Sequence, residues 1–77
     1  MSTEHLTEYK LIGLNIAYYR KLKGMTQLQL AETANISRTH ISNIEATNMP
    51  TSISLETLFA IAKALDIPAY KLLIFER

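Results

Sequence analysis

The sequence predicts an all-α domain of five short helices packed around one hydrophobic core. The clearest observation is an apolar stripe with the spacing i, i+3, i+4, i+7, i+10, formed by Leu55, Leu58, Phe59, Ala62 and Leu65. Hydrophobic residues make up 48% of the 77 residues, whereas only two Gly and two Pro interrupt the chain. This length and composition favour a single compact helical domain.

The first predicted helix begins at Thr7, a suitable N-cap, and ends near Lys23, with Gly24 as its stop. A glycine inside this helix, Gly13, lowers its stability, and either close packing or chance explains its presence. Helical spacing gives the residues predicted to face the core: Ile12, Ile16, Tyr19 and Leu22.

Residues 27–45 predict two short helices that meet at a sharp turn. Thr26 caps the first helix and Ser37 caps the second. Asn35 occupies the turn position that needs a left-handed backbone, which Gly prefers and Asn tolerates. The inward positions are Leu30, Ala31, Ala34, Ile36, Ile41 and Ile44. Two short helices crossing at a turn of this kind form a helix-turn-helix.

The last two helices follow a stretch with turn chemistry, residues 46–53. Ser54 caps the fourth helix, which carries the apolar stripe. Asp66 stands after this helix, where Gly or Asn is commoner. Pro68 suits the first position of a short fifth helix that ends near Ile74.

The amino-acid composition and the lengths of the apolar runs exclude several classes of protein. The chain has no Cys, so it can form neither a disulfide nor a thiolate metal site, and a small domain without disulfides fits the cytoplasm. No apolar run is long enough to span a membrane, and no signal peptide is evident. His5 and His40 are far apart and lack a third group. Accordingly, no enzyme activity, metal or cofactor is predicted.

The predicted domain organisation is a flexible N-terminal arm over residues 1–7 and one domain over residues 8–77. The net charge is +1, which is low for a protein that binds nucleic acid. Any such binding therefore has to rely largely on neutral hydrogen-bonding groups.

A set of spaced residues runs from the first helix to the end of the helix-turn-helix. They are Arg20, Gly24-Met25-Thr26-Gln27, Leu30-Ala31, Ile36-Ser37, Ile41-Ser42 and Ile44-Glu45. Together they resemble the DNA-binding domain of the lambda Cro/repressor class, the XRE family, over residues 12–73. This sequence departs from the family at Asn35, where Gly is usual, and at Leu28 and Gln29, where acidic residues are frequent.

The second helix of the motif carries the predicted base-contacting residues. Counting 100° per residue from the inward isoleucines places five polar residues on the opposite face or its flanks: Thr39, Ser42 and Asn43, flanked by Arg38 and His40. Arg can bridge guanine O6 and N7, Asn can pair with adenine, and Thr offers a hydroxyl and a methyl. The resemblance implies base contacts for Arg38, Thr39 and Asn43, and Ser42 joins them by position. An ordinary solvated helix face is the alternative.

Six further residues are predicted to contact the DNA backbone: Gln27, His40, Thr47, Asn48, Thr51 and Ser52. In the family, the counterpart of Gln27 binds a phosphate and often supports a recognition side chain. Small polar groups in the following loop can bind phosphates without a net charge. Helix-start preference and ordinary loop composition are the alternatives.

The resemblance also implies a structural ion pair between Arg20 and Glu45. The pair would join the first helix to the end of the second helix of the motif, which we call the recognition helix, and hold that helix at a fixed angle. The angular count places Glu45 near the core side of its helix, which agrees.

The segment from Tyr70 to Phe75 is too apolar for an exposed tail. It could cover the open end of the core, with Leu72 or Leu73 inward. It could also form a patch shared by two chains around a two-fold axis, with Tyr70, Ile74 and Phe75 outward. Both can hold at once.

These observations predict a sequence-specific DNA-binding transcriptional regulator, a repressor, that acts as a homodimer on a palindromic operator in double-stranded DNA. The alternative is a helix-turn-helix module that binds another protein, as an antitoxin or a complex subunit does. That protein partner is not indicated by the sequence. Sequence-selective and salt-dependent DNA binding separates the two.

Overall fold

The computed structural model describes residues 4–75, which form four α-helices and one 3-10 helix and no strand. The helices are α1 (Leu6–Leu22), α2 (Gln27–Ala34), α3 (Arg38–Glu45), α4 (Leu55–Ala64) and the 3-10 helix η1 (Ala69–Leu73). The prediction of an all-α domain is confirmed. None of these helices is both long and apolar enough to cross a membrane.

The fifth predicted helix is a 3-10 helix and is shorter than expected. It follows Pro68, and Ile74 already has extended backbone angles. The Lys71 N–H donates to the Pro68 carbonyl at 3.1 Å, which is the i to i+3 pattern of a 3-10 turn. Five residues between Pro68 and an extended segment leave room for little more than one turn, and short pieces commonly take this tighter form.

Helix α1 starts earlier than predicted. It begins at Leu6, so Leu6 and Thr7 belong to the helix and not to an N-terminal arm. Thr7 is therefore not the N-cap; that position is taken by His5, whose side chain makes no capping hydrogen bond. Thr is tolerated in the first turn of a helix, because its helix propensity is only slightly unfavourable. Of the rest of the predicted arm, Glu4 and His5 form a turn before α1, and residues 1–3 lie outside the described residues.

The capping residues of the other three α-helices are confirmed. The Thr26 hydroxyl accepts from the Gln29 N–H at 3.0 Å, and the Gln29 side chain accepts from the Thr26 N–H at 2.8 Å, which forms a capping box. Ser37 and Ser54 cap α3 and α4 by accepting from the N–H three residues on. Asn35 has φ 57° and ψ 46°, the predicted left-handed turn.

The buried side chains come from all five elements and form one core: Ile12, Ile16, Leu30, Ala31, Ile41, Ile44, Leu58, Ile61, Ala62, Leu65 and Leu72. Three residues predicted to face this core, Leu22, Leu55 and Phe59, are instead exposed. Leu22 and Leu55 occupy helix ends. In α4 the buried stripe includes Ile61 in place of Phe59, because α2 and η1 pack against that side of the helix.

Gly13 of α1 lies directly against the backbone at the C-terminal end of α3. A Cβ added to Gly13 would overlap the Ile44 carbonyl oxygen and lie 3.2 Å from the Ile44 carbonyl carbon and 3.5 Å from the Glu45 Cα. These are backbone atoms of α3, which cannot swing aside as the end of a side chain can. Of the two explanations for this glycine, close packing is the correct one.

Candidate nucleic-acid interface

Helix α3 has one buried and one exposed face, as the sequence predicts. Ile41 and Ile44 are buried, whereas Arg38, Thr39 and Asn43 are exposed. Two further polar residues of this helix, His40 and Ser42, are half-buried. The helix therefore presents a cation, a hydroxyl and an amide on one solvent-facing surface.

These exposed groups are not used inside the protein. Within residues 4–75, no hydrogen bond or ion pair engages the side chains of Arg38, Thr39 or Asn43. The N-terminal end of α3 is fixed separately, because the Ser37 hydroxyl accepts from the His40 N–H at 3.0 Å. A rigid helix with free donors and acceptors can offer them to the edges of bases.

An ion pair joins α1 to the end of α3. Arg20 Nε donates to Glu45 Oε2 at 2.8 Å, and Arg20 Nη2 donates to Glu45 Oε1 at 3.0 Å, so the pair is bidentate. The two side chains are only 10% and 6% exposed. Arg20 Nη1 also donates to the Met25 carbonyl at 2.8 Å. The predicted partners are thus in contact, and Arg20 also fixes the loop that leads into α2.

Gln27 adds α2 to this arrangement. Its Nε2 donates to Glu45 Oε1 at 3.0 Å, so Glu45 accepts from residues of two different helices. We call these three residues the Arg20–Gln27–Glu45 cluster. It ties α1, α2 and the C-terminal end of α3 together, so the angle of α3 is set by hydrogen bonds as well as by core packing. Gln27 supports the end of the helix through Glu45, and within residues 4–75 its side chain forms no hydrogen bond with the exposed residues of α3.

The loop after α3 brings the remaining predicted backbone-contacting residues together. Thr47, Asn48 and Ser52 are exposed. Thr51 is half-buried, and its hydroxyl lies 3.3 Å from the Asn43 carbonyl and 3.1 Å from the Met49 carbonyl, to which it donates. Thr51 therefore holds the loop against the end of α3, and in this conformation its hydroxyl hydrogen is not free for a phosphate.

The C-terminal segment has a buried part and an exposed part. Leu72 is fully buried and closes the core, whereas Tyr70, Ile74 and Phe75 are 60%, 44% and 39% exposed. Ile74 and Phe75 also line a groove of about 260 Å³ next to α1, together with Leu11, Leu14 and Asn15. The three residues predicted for a dimer interface are thus on the surface.

Two residues that hold the site together were not among those predicted from the sequence. Gln29 completes the capping box of α2, and the spacing Thr26-x-x-Gln29 was the available signal. Asn15 is 4% exposed, and its amide donates to the carbonyls of Leu72 and Ile74. No local pattern indicates this contact, because its partners are 57 and 59 residues away in the chain.

Comparison with known proteins identifies the family. The family model described as "Helix-turn-helix" matches residues 16–72. The HTH-type transcriptional regulator SinR of Bacillus subtilis (strain 168) is 36% identical over 63 residues, which are 82% of this chain and 56% of SinR. The immunity repressor protein of Bacillus phage phi105 is 45% identical over 56 residues, 73% of this chain and 38% of the repressor. The chain thus spans about half of the length of SinR and less than half of the length of the phage protein.

Among solved structures, the restriction-modification controller protein C.AhdI from Aeromonas hydrophila superposes with a TM-score of 0.79 at 26% identity. The superposition covers 86% of this chain and 97% of that protein. The matched span runs from α1 to η1. Together with the fold and the identity to these relatives, it agrees with the resemblance to the Cro/repressor class. The chain belongs to the helix-turn-helix family, in its XRE type.

Proposed function

We propose that this chain is a sequence-specific DNA-binding transcriptional regulator that represses by binding a palindromic operator as a homodimer. The observation that carries the proposal is the surface of α3, where Arg38, Thr39 and Asn43 are exposed and unused within residues 4–75. The relatives support it, because SinR is a transcriptional regulator and the phage protein is an immunity repressor. Such a role implies a location in the cytoplasm.

Base readout is assigned to four residues of α3. Arg38 reads guanine through two parallel N–H donors, and Asn43 pairs with adenine through its amide. Thr39 offers a hydroxyl and a methyl group that suits thymine. Ser42 is half-buried, so its hydroxyl reaches a base only where the helix lies deep in the major groove.

Phosphate contacts are assigned to groups around this helix. They come from the side chains of Gln27, His40, Thr47, Asn48 and Ser52. Thr51 contributes through its backbone N–H, because its hydroxyl hydrogen is already donated to carbonyls of the protein. The N-terminus of α2 also favours an anion, because its first N–H groups have no partner inside the helix. Gln27 can keep its bond to Glu45 and still offer its second amide hydrogen to a phosphate. Neutral donors of this kind position the protein on DNA without a large net charge.

The homodimer is assigned to Tyr70, Ile74 and Phe75. One domain with a net charge of +1 neutralises few phosphates and therefore binds weakly at physiological salt. Two linked domains that read half-sites about 34 Å apart, one helical turn of DNA, double the contacts. A palindromic operator follows from the two-fold symmetry of such a dimer.

Selection of bound sites from random double-stranded DNA tests the proposal. The wild-type chain should enrich a palindrome whose half-sites are about one helical turn apart. A variant with Arg38→Ala and Asn43→Ala should lose this enrichment, whereas Lys63→Ala, which removes an exposed cation from α4, should retain it.

Failure of the wild-type chain to enrich any sequence, with binding that depends on salt alone, would refute specific DNA recognition. That result is the one expected of the alternative, a helix-turn-helix module that binds another protein as an antitoxin or complex subunit does.

A further inference from the structure

A single buried side chain fixes the C-terminal segment on α1. Asn15 Nδ2 donates to the Leu72 carbonyl at 3.0 Å and to the Ile74 carbonyl at 2.8 Å. Both amide hydrogens are thereby used, and they bind carbonyls two residues apart. Ile74 has φ −87° and ψ 117°, so the chain leaves η1 in an extended conformation along α1.

This attachment places apolar side chains from two distant parts of the chain next to each other. Ile74 and Phe75 line the groove of about 260 Å³ together with Leu11 and Leu14 of α1. Tyr18, four residues after Leu14, continues the surface by one helical turn and is 47% exposed. We call Leu11, Leu14, Tyr18, Ile74 and Phe75 the α1/C-terminal face.

The α1/C-terminal face points away from α3, the recognition helix. Gly13 marks the side of α1 that contacts α3. At 100° per residue, Leu11, Leu14 and Tyr18 lie roughly 100° to 160° around the helix from Gly13. A molecule bound to this face therefore leaves the exposed side of α3 free for DNA.

The chemistry of this face suits a second copy of the same chain. In a two-fold interface each surface meets itself, so any charge near the axis would be opposed by a like charge. None of the five residues of the face, nor Asn15 in the groove, carries a charge. Two of its members, Ile74 and Phe75, already belong to the proposed dimer interface, so the face extends that interface along α1. Contiguous exposed apolar surface of this kind marks association sites.

We propose that Asn15 is a positioning residue of the dimer interface, because its amide holds the C-terminal segment on α1 and thereby builds the α1/C-terminal face, which receives a second copy of this chain. The inference rests on the proposed homodimer. It adds Leu11, Leu14 and Tyr18 to the interface, and it gives a buried residue of α1 control over assembly.

The test uses the full chain and substitutes Asn15 in two ways. Asn15→Asp keeps the size of the side chain but replaces two N–H donors with an oxygen that repels the Leu72 and Ile74 carbonyls. Asn15→Ala removes the donors without adding a charge. In sedimentation equilibrium, both should be monomers at concentrations where the wild type is a dimer. Their affinity for a half-site should stay within about twofold, and their affinity for the palindrome should fall at least tenfold.

Two exposed aromatic residues provide a matched pair that does not disturb the core. Tyr18→Ser lies on the α1/C-terminal face and should weaken the dimer. Phe59→Ser removes an aromatic side chain of similar exposure from α4, outside the face, and should leave the dimer intact. Circular dichroism checks that all four variants keep the helical content of the wild type.

Each outcome decides the inference. Folded Asn15 variants that remain dimeric overturn it, and so does equal dissociation by Phe59→Ser. Loss of helical content in both Asn15 variants would show that Asn15 supports the core and not the interface, which also overturns it. In these cases a dimeric wild type that binds the palindrome leaves the proposed function intact. A wild type that is monomeric but still selects a specific sequence would remove the dimer itself, and DNA recognition would stand.

Discussion

The proposed base readout depends on side chains that have no partner within residues 4–75. Arg38 follows the cap of α3 directly, and its guanidinium has no partner within residues 4–75. An exposed Arg side chain loses rotamer entropy when it binds, but its planar guanidinium is preorganised to form two bonds to one base, so less entropy is lost per hydrogen bond. Under the proposed function, Arg38 is therefore the residue of this surface that we expect to contribute most to discrimination between base pairs.

Arg38→Ala should reduce specificity more than general affinity, because base contacts discriminate and phosphate contacts position. Discrimination of about 1–3 kcal/mol should disappear at one base pair in each half-site. Site selection with the mutant and the wild type measures this loss position by position. Lys63→Ala is the control for the removal of one exposed cation. Identical profiles for Arg38→Ala and the wild type would show that Arg38 reads no base.

The predictions for single residues succeeded where the signal is local. The exposure of Arg38, Thr39 and Asn43 follows from the spacing of two isoleucines on one short helix, so the sequence alone was sufficient. The role of Asn15 depends on two carbonyls almost sixty residues away. The spacing of residues along the chain cannot predict such partners, because they become neighbours only when the whole chain has folded.

Among the elements, α3 is the one whose orientation matters most, and the Arg20–Gln27–Glu45 cluster controls it. Glu45 accepts from Arg20 and Gln27 at distances of 2.8–3.0 Å. Both side chains of the ion pair are nearly buried, so each charge depends on its partner. Breaking such a pair leaves one charge uncompensated, whereas replacing both partners removes the problem.

Removal of either Arg20 or Glu45 should therefore lower the free energy of unfolding by about 3–5 kcal/mol. Replacement of both, as Arg20→Met with Glu45→Leu, should cost less than the sum of the two single changes. Urea or thermal unfolding of the four proteins gives this double-mutant cycle. Strict additivity of the two changes would mean that the residues do not interact in solution.

At this scale the sequence predicts where helices begin better than which face they bury. Thr26, Ser37 and Ser54 are correct N-caps, because a cap bonds to an N–H only three residues away. Phe59 was assigned to the core and Ile61 was not, although both are apolar residues of α4. The choice between them is made by α2 and η1, which no local pattern in α4 describes.

For the whole molecule, weak charge makes assembly important. The net charge of +1 provides little non-specific attraction to DNA, so affinity has to come from the number of contacts. A dimer turns the second half-site into an intramolecular binding event, which can raise the overall affinity by about 10²–10⁴ without any new kind of contact.

Replacement of Ile74 and Phe75 with Glu should give a folded monomer that binds the operator much more weakly. The reason is that two carboxylates on each chain would face each other across the two-fold axis. Sedimentation velocity at tens of micromolar protein measures the association state, and circular dichroism confirms folding. If a monomer bound one half-site as tightly as the full palindrome, assembly would have no part in recognition.

The contact between Gly13 and the backbone of Ile44 has a consequence for how this chain tolerates mutation. Every other amino acid adds a Cβ, so position 13 has no conservative replacement, and even Ala would force α1 and α3 apart at a cost of about 1–3 kcal/mol or more.

Gly24 is the natural comparison: its φ is 71° with no atom within 4 Å of an added Cβ, so Asn should be accepted there. In a library of all single substitutions, selected for operator binding, position 13 should retain only glycine, whereas position 24 should also retain asparagine. A pool in which Gly13→Ala survives as well as Gly24→Asn would show that the two helices can separate without loss of binding.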